Sequence, residues 1–441
     1  MKTAQFKKRA NWKVFYPLLT LCMIFITGCT DSGVAVQVDG GPERIQSPNL
    51  LSGEMEKLVS GCTAFGLELF QNLRTEGQNL FLSPLSISWA MAMVYAGAKN
   101  ETEAEIAAGM HFDLPKDRLP PVFNHLEGEL SSRGEGAMGV DDEPFRLRIV
   151  NSHWAAIDYE FLEDFLNTLA LHYGSAMFLV DFLNNAEKAR TDINEWVEEM
   201  TEGLIKDLIP EGLINQTTKL VLVNAIYFNA AWQNKFKESN TTKRPFFSSE
   251  GEEVIVDFMF RQGYYFYAEV DGVQIVQIPY DGNELSMVIL LPGEGLFDEE
   301  ADILDVERLG YLLGETQAVS VNLRMPKFGI ESDFNLKDAL ESMGIEQAFE
   351  DPFAHHPGAD FSGMTGSQNL FIDEVIHKTF VEVDENGTEA AAATAVIMGD
   401  GGLAPEPPDP VEMNINRPFI FFIRDHATGA IPFIGQVVNP A

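Results

Sequence analysis

The segment VDENGTEAAAATAVIMGDGG, residues 383–402, lies late in the chain between two stretches whose composition is typical of β-strands. Alanine has the highest helix propensity, and either Asn386 or Thr388 could cap a helix that begins here. The run of alanine and threonine nevertheless lacks the apolar stripe by which a helix docks on a core. The pattern therefore predicts an undocked segment, whose function has to be sought in the rest of the chain.

The sequence around this segment predicts the fold class. Helix patterns occupy residues 50–73, 82–98 and 185–205, in the first half of the chain. Strand patterns follow at residues 220–232, 264–270, 273–280, 284–292, 318–328, 369–383, 418–425 and 431–438. Because helices cluster early and strands late, without β–α–β alternation, the sequence predicts an α+β fold with large, mostly antiparallel sheets.

The composition is typical of a globular domain with a strongly acidic surface. Hydrophobic residues make up 45% of the 441 residues, which is enough for a large core, and the formal net charge is −37. This charge disfavours binding to nucleic acid, heparin-like polyanions or anionic membranes through a basic face. We therefore expect no nucleic-acid partner and no activation by heparin, which would require clustered lysine and arginine.

The first residues of the chain differ from the rest. Residues 1–13 carry five basic side chains, and the apolar stretch VFYPLLTLCMIFITGC, residues 14–29, follows. A basic segment, a short apolar core and small residues at the cleavage point predict a signal peptide over residues 1–28. The ending ITGC resembles a bacterial lipobox, which implies lipidation of Cys29. An ordinary signal peptide with a chance cysteine is the alternative.

Residues 29–53 are small, polar and interrupted by glycine and proline, which predicts a flexible tether in front of a domain over residues 54–441. The lipobox implies export and attachment to the bacterial cell envelope, at the outer membrane or cell surface, through lipid alone. An extracellular protein is the alternative location.

Enzyme and metal-site signatures are not supported by their context. The sequence GEGAMG, residues 134–139, has the spacing GxGxxG, but no strand precedes it and the acidic VDDEP follows where a nucleotide site needs a helix N-terminus. His355 and His356 lie in an acidic loop, which favours a plain surface loop over a metal site. Cys62 falls on an apolar helical face, which predicts a buried thiol. We expect no catalytic activity, no metal and no cofactor.

Six segments, in their order along the chain, resemble the signatures of the serpin family. They are NLFLSPLSISWAMAMVYAGAKNETEAEI (79–106), LVLVNAIYFNAAWQNKF (220–236), MPKFGIESDFNLKDALESMGI (325–345), ADFSGM (359–364), VIHKTFVEVDENGTEAAAATA (375–395) and NRPFIFFIRDHATGAIPFIGQVVNP (416–440). The likeness covers roughly residues 55–440. It implies a monomeric, single-domain α+β serpin fold with three β-sheets, about nine helices and an exposed reactive-centre loop at about residues 386–412.

The resemblance implies a suicide inhibitor of serine, or cysteine, proteases rather than an enzyme. In serpins a protease cleaves the loop and forms an acyl-enzyme, and the loop then inserts as a new strand into the largest sheet. The protease is trapped as a covalent 1:1 complex before the ester hydrolyses. A non-inhibitory serpin that acts as a binding or structural surface lipoprotein is the alternative.

The hinge of the loop meets the physical demands of insertion. Glu385 and Gly387 precede an alternating face that carries no charge and no proline. That face comprises Thr388, Ala390, Ala392, Thr394, Val396 and Met398. A buried charge would cost several kcal/mol, and a proline would remove a hydrogen bond of the sheet. Insertion would form about ten backbone hydrogen bonds worth ~1 kcal/mol each. The hinge therefore resembles that of inhibitory serpins.

The resemblance assigns further residues to the moving parts of the fold. The shutter, a polar cluster under the sheet that governs its opening, corresponds to Ser83, Ser86, Asn224 and His377. The breach, where insertion begins, corresponds to Trp232 and Lys327. Lys327 is expected to form an ion pair with Glu385.

Serpin spacing from Glu385 places the scissile bond at Gly401–Gly402. Bonds after Asp400, Met398 and Leu403 are the alternatives. No lysine or arginine occurs between Lys378 and Arg417, which disfavours trypsin-like proteases because these need a cation in their acidic pocket. Elastase-like or subtilisin-like proteases, which accept small or apolar residues, are the expected targets.

Overall fold

The computed structural model of this chain describes residues 36–37, 42–139, 144–174, 177–201, 203, 205–354, 357–387 and 409–441. The predicted signal peptide, the predicted lipidation site Cys29 and the histidines His355 and His356 lie outside these residues. Residues 388–408, the middle of the predicted reactive-centre loop, also lie outside them.

Ten α-helices form within the described residues. They are α1 (Glu54–Leu73), α2 (Pro84–Tyr95), α3 (Asn100–Gly109), α4 (Leu119–Ser131), α5 (Glu163–Thr168, continued by a π-helical turn Leu169–Tyr173), α6 (Phe182–Met200), α7 (Phe297–Ile303), α8 (Val306–Gly314), α9 (Lys337–Ser342) and α10 (Ser362–Thr365). The last is a single turn, so the set agrees with the expected number of about nine.

Fifteen β-strands form within the same residues. They are β1 (Val36–Gln37), β2 (Leu80–Leu82), β3 (Arg146–Ala156), β4 (Met177–Val180), β5 (Leu220–Asn229), β6 (Thr242–Phe247), β7 (Glu253–Val270), β8 (Val273–Pro279), β9 (Leu285–Pro292), β10 (Gln317–Pro326), β11 (Phe328–Asn335), β12 (Glu374–Val383), β13 (Val411–Asn414), β14 (Phe419–Asp425) and β15 (Phe433–Val437).

Six strands form sheet A in the order β1-β4-β3-β5-β12-β11. Its two central strands, β5 and β12, run parallel and pair directly, whereas β12 pairs with β11 and β5 pairs with β3 in antiparallel fashion. The strand that leads to the predicted loop therefore lies in the middle of the sheet.

The other nine strands are continuous through the long strand β7. The first part of β7 pairs with β6, its last part pairs with β8, and β10 pairs with the residues between, from Phe258 to Tyr267. Strands β6, β10 and β13 with the first part of β7 make sheet C, and the remainder makes sheet B. The α+β fold with three sheets that the sequence predicts is thus confirmed.

Helix α2 explains how sheet A is supported from below. Ser83 caps the helix by accepting from the amide of Ser86, and Pro84 occupies the first turn, where a missing N–H costs nothing. All twelve residues of α2 are buried, and the helix packs against β3 and β5. The pattern of residues 82–98, which is apolar on nearly all sides, is therefore that of a core helix.

Several boundaries differ from the sequence patterns for local reasons. Strand β12 begins only at Glu374, so the first part of the strand pattern 369–383 is irregular chain. A nucleotide-binding motif would require a helix after residues 134–139. Strand β3 follows instead, which agrees with the rejection of that motif. A Cβ at Gly134 would lie 2.2 Å from the ring of Phe145, so glycine is needed there for packing. Cys62 is a buried free thiol whose pKa burial raises to about 12.

Part of the segment before α1 contacts the domain. Strand β1 forms the edge of sheet A and pairs with β4, with Val36 opposite Leu179. The guanidinium of Arg44 donates to Asn124 on α4, and the amide of Ile45 donates to the carbonyl of Leu171. Within the predicted tether, residues 29–53, the chain therefore contacts the domain at Val36, Arg44 and Ile45. Within the described part of the chain, no helix is long and apolar enough to cross a bilayer.

Candidate functional site

Strands β5 and β12 pair in parallel over only part of their length, and this pairing is called the seam below. It runs from Glu374 opposite Val221 to Thr379 opposite Ile226. Strand β12 continues to pair with β11 as far as Val383 opposite Phe328. The base of the seam is therefore paired, and the pairing ends before the strands reach the hinge at Glu385.

A buried polar cluster closes the sheet under the middle of the seam. The amide of Ser83 donates to Nε2 of His377 at 3.1 Å, so this nitrogen is unprotonated and Nδ1 carries the proton. Nδ1 donates to the side-chain oxygen of Asn224, whose Nδ2 donates in turn to Ser86. The structure thus brings together the four residues that the sequence assigns to the shutter.

The shutter histidine is held neutral. His377 is completely buried, and burial lowers its pKa to about 3. Protonated Nε2 would point a second N–H at the amide of Ser83, which has no acceptor to offer. The hydrogen-bond geometry and burial therefore favour the same neutral form.

Sequence reasoning missed one member of this cluster. Asn151 on β3 accepts from Asn224 and from the hydroxyl of Ser86 at 3.3 Å. It links α2 to two strands of sheet A. Its strand was not predicted, because the run Asn151, Ser152 and His153 is polar and has no strand-like alternation.

The upper end of β12 is held by a second cluster, the breach. Nζ of Lys327 lies 2.8 Å from Oε2 of Glu385, and the hydroxyl of Thr241 donates to Oε1 of the same carboxylate. The indole nitrogen of Trp232 donates to the carbonyl of Asp384 at 3.0 Å. Three connecting segments, which carry Trp232, Thr241 and Lys327, thereby hold the chain just before the loop.

Glu385 is a buried anion with matched partners. Only 5% of it is exposed, and burial alone would raise its pKa. The hydrogen bonds from Lys327 and Thr241 outweigh burial, and the pKa of Glu385 lies below its usual value. Removing either donor would leave a buried charge incompletely compensated. Thr241 was not found from sequence, since a lone threonine in a turn carries no signal.

Gly387 is required by close packing. A Cβ at this position would lie 2.1 Å from the indole nitrogen of Trp232. The carboxylate of Asp384 accepts from the amides of Asn386 at 2.8 Å and Gly387 at 3.0 Å, which forms a local turn. The hinge is therefore tightly held up to Gly387.

The remaining predicted site residues lie outside the described part of the chain. They are Thr388, Ala390, Ala392, Thr394, Met398, Asp400, Gly401, Gly402 and Leu403. After them the chain enters β13, which pairs in parallel with β10 in sheet C. The segment 388–408 thus joins the upper end of sheet A to sheet C. Among the described residues, no cluster of three or more His, Cys, Asp or Glu side chains could hold a metal ion.

Comparison with known proteins gives a consistent result. A family model described as "Serpin (serine protease inhibitor)" matches residues 60–440. The leukocyte elastase inhibitor A of Mus musculus is 39% identical over 398 residues, which are 88% of this chain and 100% of that protein. A serpin-like protein of Thermococcus kodakarensis is 35% identical over 96% of this chain and 98% of its own length.

Solved structures agree with these relatives. The crystal structure of the thermophilic serpin tengpin in the native state superposes with a TM-score of 0.78 at 29% identity. The match covers 92% of this chain and 99% of that one. Fold and sequence thus point to the same family over nearly the whole described chain.

Proposed function

We propose, from the membership of this chain in the serpin family, that it inhibits serine, or cysteine, proteases as a suicide substrate. The loop around residues 386–412 serves as bait, and its insertion into sheet A traps the protease. The seam between β5 and β12 is the observation that carries the proposal.

The seam supports insertion because its two strands are parallel neighbours. A strand that enters between them from the hinge runs antiparallel to both. Antiparallel pairing is slightly more stable per residue than parallel pairing, and the new strand gains two partners where one pairing is lost. Since the pairing already ends at Thr379 opposite Ile226, the entry point lies beside the hinge.

The chemical step is an ordinary acylation. The protease nucleophile attacks the carbonyl carbon of Gly401, the bond to the nitrogen of Gly402 breaks, and that amine takes up a proton. The loop remains attached to the protease as an ester, or as a thioester if the nucleophile is cysteine. Inhibition then depends on insertion being faster than attack of water on that ester.

The expected targets are elastase-like or subtilisin-like proteases. The absence of lysine and arginine between Lys378 and Arg417 supports this class. So does the similarity to proteins named leukocyte elastase inhibitors. The scissile bond proposed is Gly401–Gly402, with the bonds after Asp400, Met398 and Leu403 as alternatives.

Incubation with pancreatic elastase and with subtilisin tests this function. We expect a complex that survives denaturing electrophoresis, and a cleaved form that unfolds at a markedly higher temperature than the intact protein. Mass spectrometry of the released peptide fixes the scissile bond, and trypsin serves as the control. Cleavage of the loop without a complex and without added thermal stability would favour the alternative of a non-inhibitory binding or structural lipoprotein.

We also propose that the protein is exported and attached to the cell envelope through lipid on Cys29. Replacement of Cys29 with alanine is expected to move the protein from the membrane fraction to the soluble fraction and to abolish its labelling with fatty acid. Cys22→Ala is the matched control, since Cys22 lies within the predicted signal and should leave attachment unchanged. Equal distribution of the two variants would contradict the anchor.

A further inference from the structure

Asp373 closes the base of the seam with its side chain. It directly precedes β12, and its Oδ2 accepts from the amide of Lys219 at 2.7 Å and of Leu220 at 3.0 Å. Its own amide donates to the carbonyl of Leu220 at 3.1 Å. Leu220 is the first residue of β5, so these bonds join the two central strands of sheet A where both begin.

Burial makes the ionised form of the Asp373 carboxyl group costly at this position. Asp373 is half-buried, and burial raises its pKa to about 6 although two backbone amides donate to it. A fully solvated residue would avoid this cost. The side chain contributes two bonds across the seam in addition to the backbone pairing.

We propose that Asp373 is a positioning residue for loop insertion, a latch that holds the base of the seam shut and has to release before the last inserted residues can enter. This proposal rests on the proposed function. It assigns to one side chain the control of the final stage of insertion.

The length of β12 places the latch at the end of the insertion path. From Val383 back to Asp373 there are eleven residues (383 − 373 + 1). A strand of equal length that begins at Thr388 ends at Met398 (388 + 11 − 1), three residues before the proposed bond after Gly401. Full insertion of the uncharged segment therefore has to open the seam as far as Asp373.

Insertion to this level is incompatible with the latch. Neighbouring strands lie about 4.8 Å apart, so a strand inserted between β5 and β12 moves them to roughly twice that distance. The short side chain of Asp373 then no longer reaches the amides of Lys219 and Leu220. The latch bonds thus exist in the uncut protein and have to be broken as insertion is completed.

The first test compares three variants. Asp373→Ala removes the acceptor, and loop insertion after cleavage is expected to be roughly tenfold faster, with fewer inhibitor molecules cleaved per protease trapped. Asp373→Asn keeps one acceptor oxygen and should stay within about threefold of the wild type. Asp305→Ala is the matched control, because Asp305 accepts from the amide of Arg308 on α8, away from the seam. If Asp373→Ala inserts no faster than Asp305→Ala, the latch is refuted.

A reversible cross-link provides a second test that does not depend on the latch mutants folding normally. The double variant Leu220→Cys/Asp373→Cys places two thiols at the base of the seam, where the amide of Asp373 donates to the carbonyl of Leu220. Within the described part of the chain the single native cysteine, Cys62, is buried. The oxidised variant is expected to be cleaved without trapping elastase or subtilisin, and the reduced variant to regain trapping. Trapping by the oxidised form would show that insertion stops above the base.

Failure of the proposed function gives a different result. In that case the wild type itself forms no complex. The rate at which cleaved protein gains thermal stability still separates Asp373→Ala from Asp305→Ala and so still tests the latch. If cleaved wild-type protein gains no stability at all, both proposals fall.

Discussion

Replacing Thr388 with arginine is expected to turn the protein from an inhibitor of elastase-like or subtilisin-like proteases into a substrate. In the proposed inserted strand Thr388 is the first residue of the face that enters the core. Arginine at that position would have to be buried without a partner at the very start of insertion. Insertion should then be too slow to compete with hydrolysis of the ester.

The surroundings of the entry point make this cost large. Along β12 the residues Val381 and Val383 are buried, and they pack with Ile330 of β11 in one apolar cluster. Burial of an unpaired cation in such surroundings costs several kcal/mol, which slows insertion roughly 100-fold or more. The effect exceeds what the loss of any single hydrogen bond in the sheet would produce.

Glu389→Arg is the matched control, because residue 389 alternates to the opposite face of the strand. Cleavage rates of both variants should equal that of the wild type, whereas the fraction of protease trapped should fall to near zero only for Thr388→Arg. Gel densitometry of the covalent complex and of the cleaved inhibitor measures both quantities. Undiminished trapping by Thr388→Arg would refute insertion of this face of the loop.

The sequence predicted those helices and strands in which the order of apolar and polar residues matches the buried and exposed positions. Residues 82–98 are apolar on nearly all sides and contain the core helix α2, and strand β12 alternates buried and exposed positions from Thr379 to Val383. Strand β3 was missed because Ser152 and His153 are polar yet buried. Their contacts are not visible in the pattern: the hydroxyl of Ser152 accepts from the indole of Trp154, and Nε2 of His153 contacts the distant carbonyl of Ala90.

The candidate site shows the same limit. Residues that belong to a continuous motif, such as Glu385 and His377, were assigned from the serpin resemblance. Thr241 and Asp373 were not, although Thr241 donates to Glu385 just before the predicted loop and Asp373 accepts from the amides of Lys219 and Leu220 at the start of β5. Their contacts join residues that are far apart in the sequence and meet only through the packing of the strands. A single sequence does not show which distant residues meet.

Acidification is the second change with a large expected effect, because two histidines are buried in neutral form. Burial lowers the pKa of His377 to about 3 and that of His153 to about 4, whereas an unfolded histidine titrates near 6.5. Below pH 6.5 the unfolded chain therefore binds protons that the folded protein does not. The stability that these groups contribute is fully present above pH 6.5 and is lost as the pH falls towards 4.

The expected loss can be estimated at pH 5. Each buried histidine lowers the free energy of unfolding by about 2 kcal/mol between neutral pH and pH 5. Asp373 acts in the opposite direction, since its pKa is raised to about 6 in the folded protein and protonation there stabilises the fold by about 1 kcal/mol. Together these three groups lower the free energy of unfolding by about 3 kcal/mol between neutral pH and pH 5.

Denaturant unfolding at pH 7.5 and pH 5.0 measures this difference through the midpoint concentration. In the variant His377→Gln the acid-induced loss of unfolding free energy that comes from the two histidines should be about half as large. Glutamine retains hydrogen-bonding capacity in the shutter but does not titrate. His111→Gln is the control, since that histidine lies at the surface beside Glu68. An unchanged midpoint in the wild type would contradict neutral buried histidines, and equal acid sensitivity of His377→Gln would place the effect elsewhere than in the shutter.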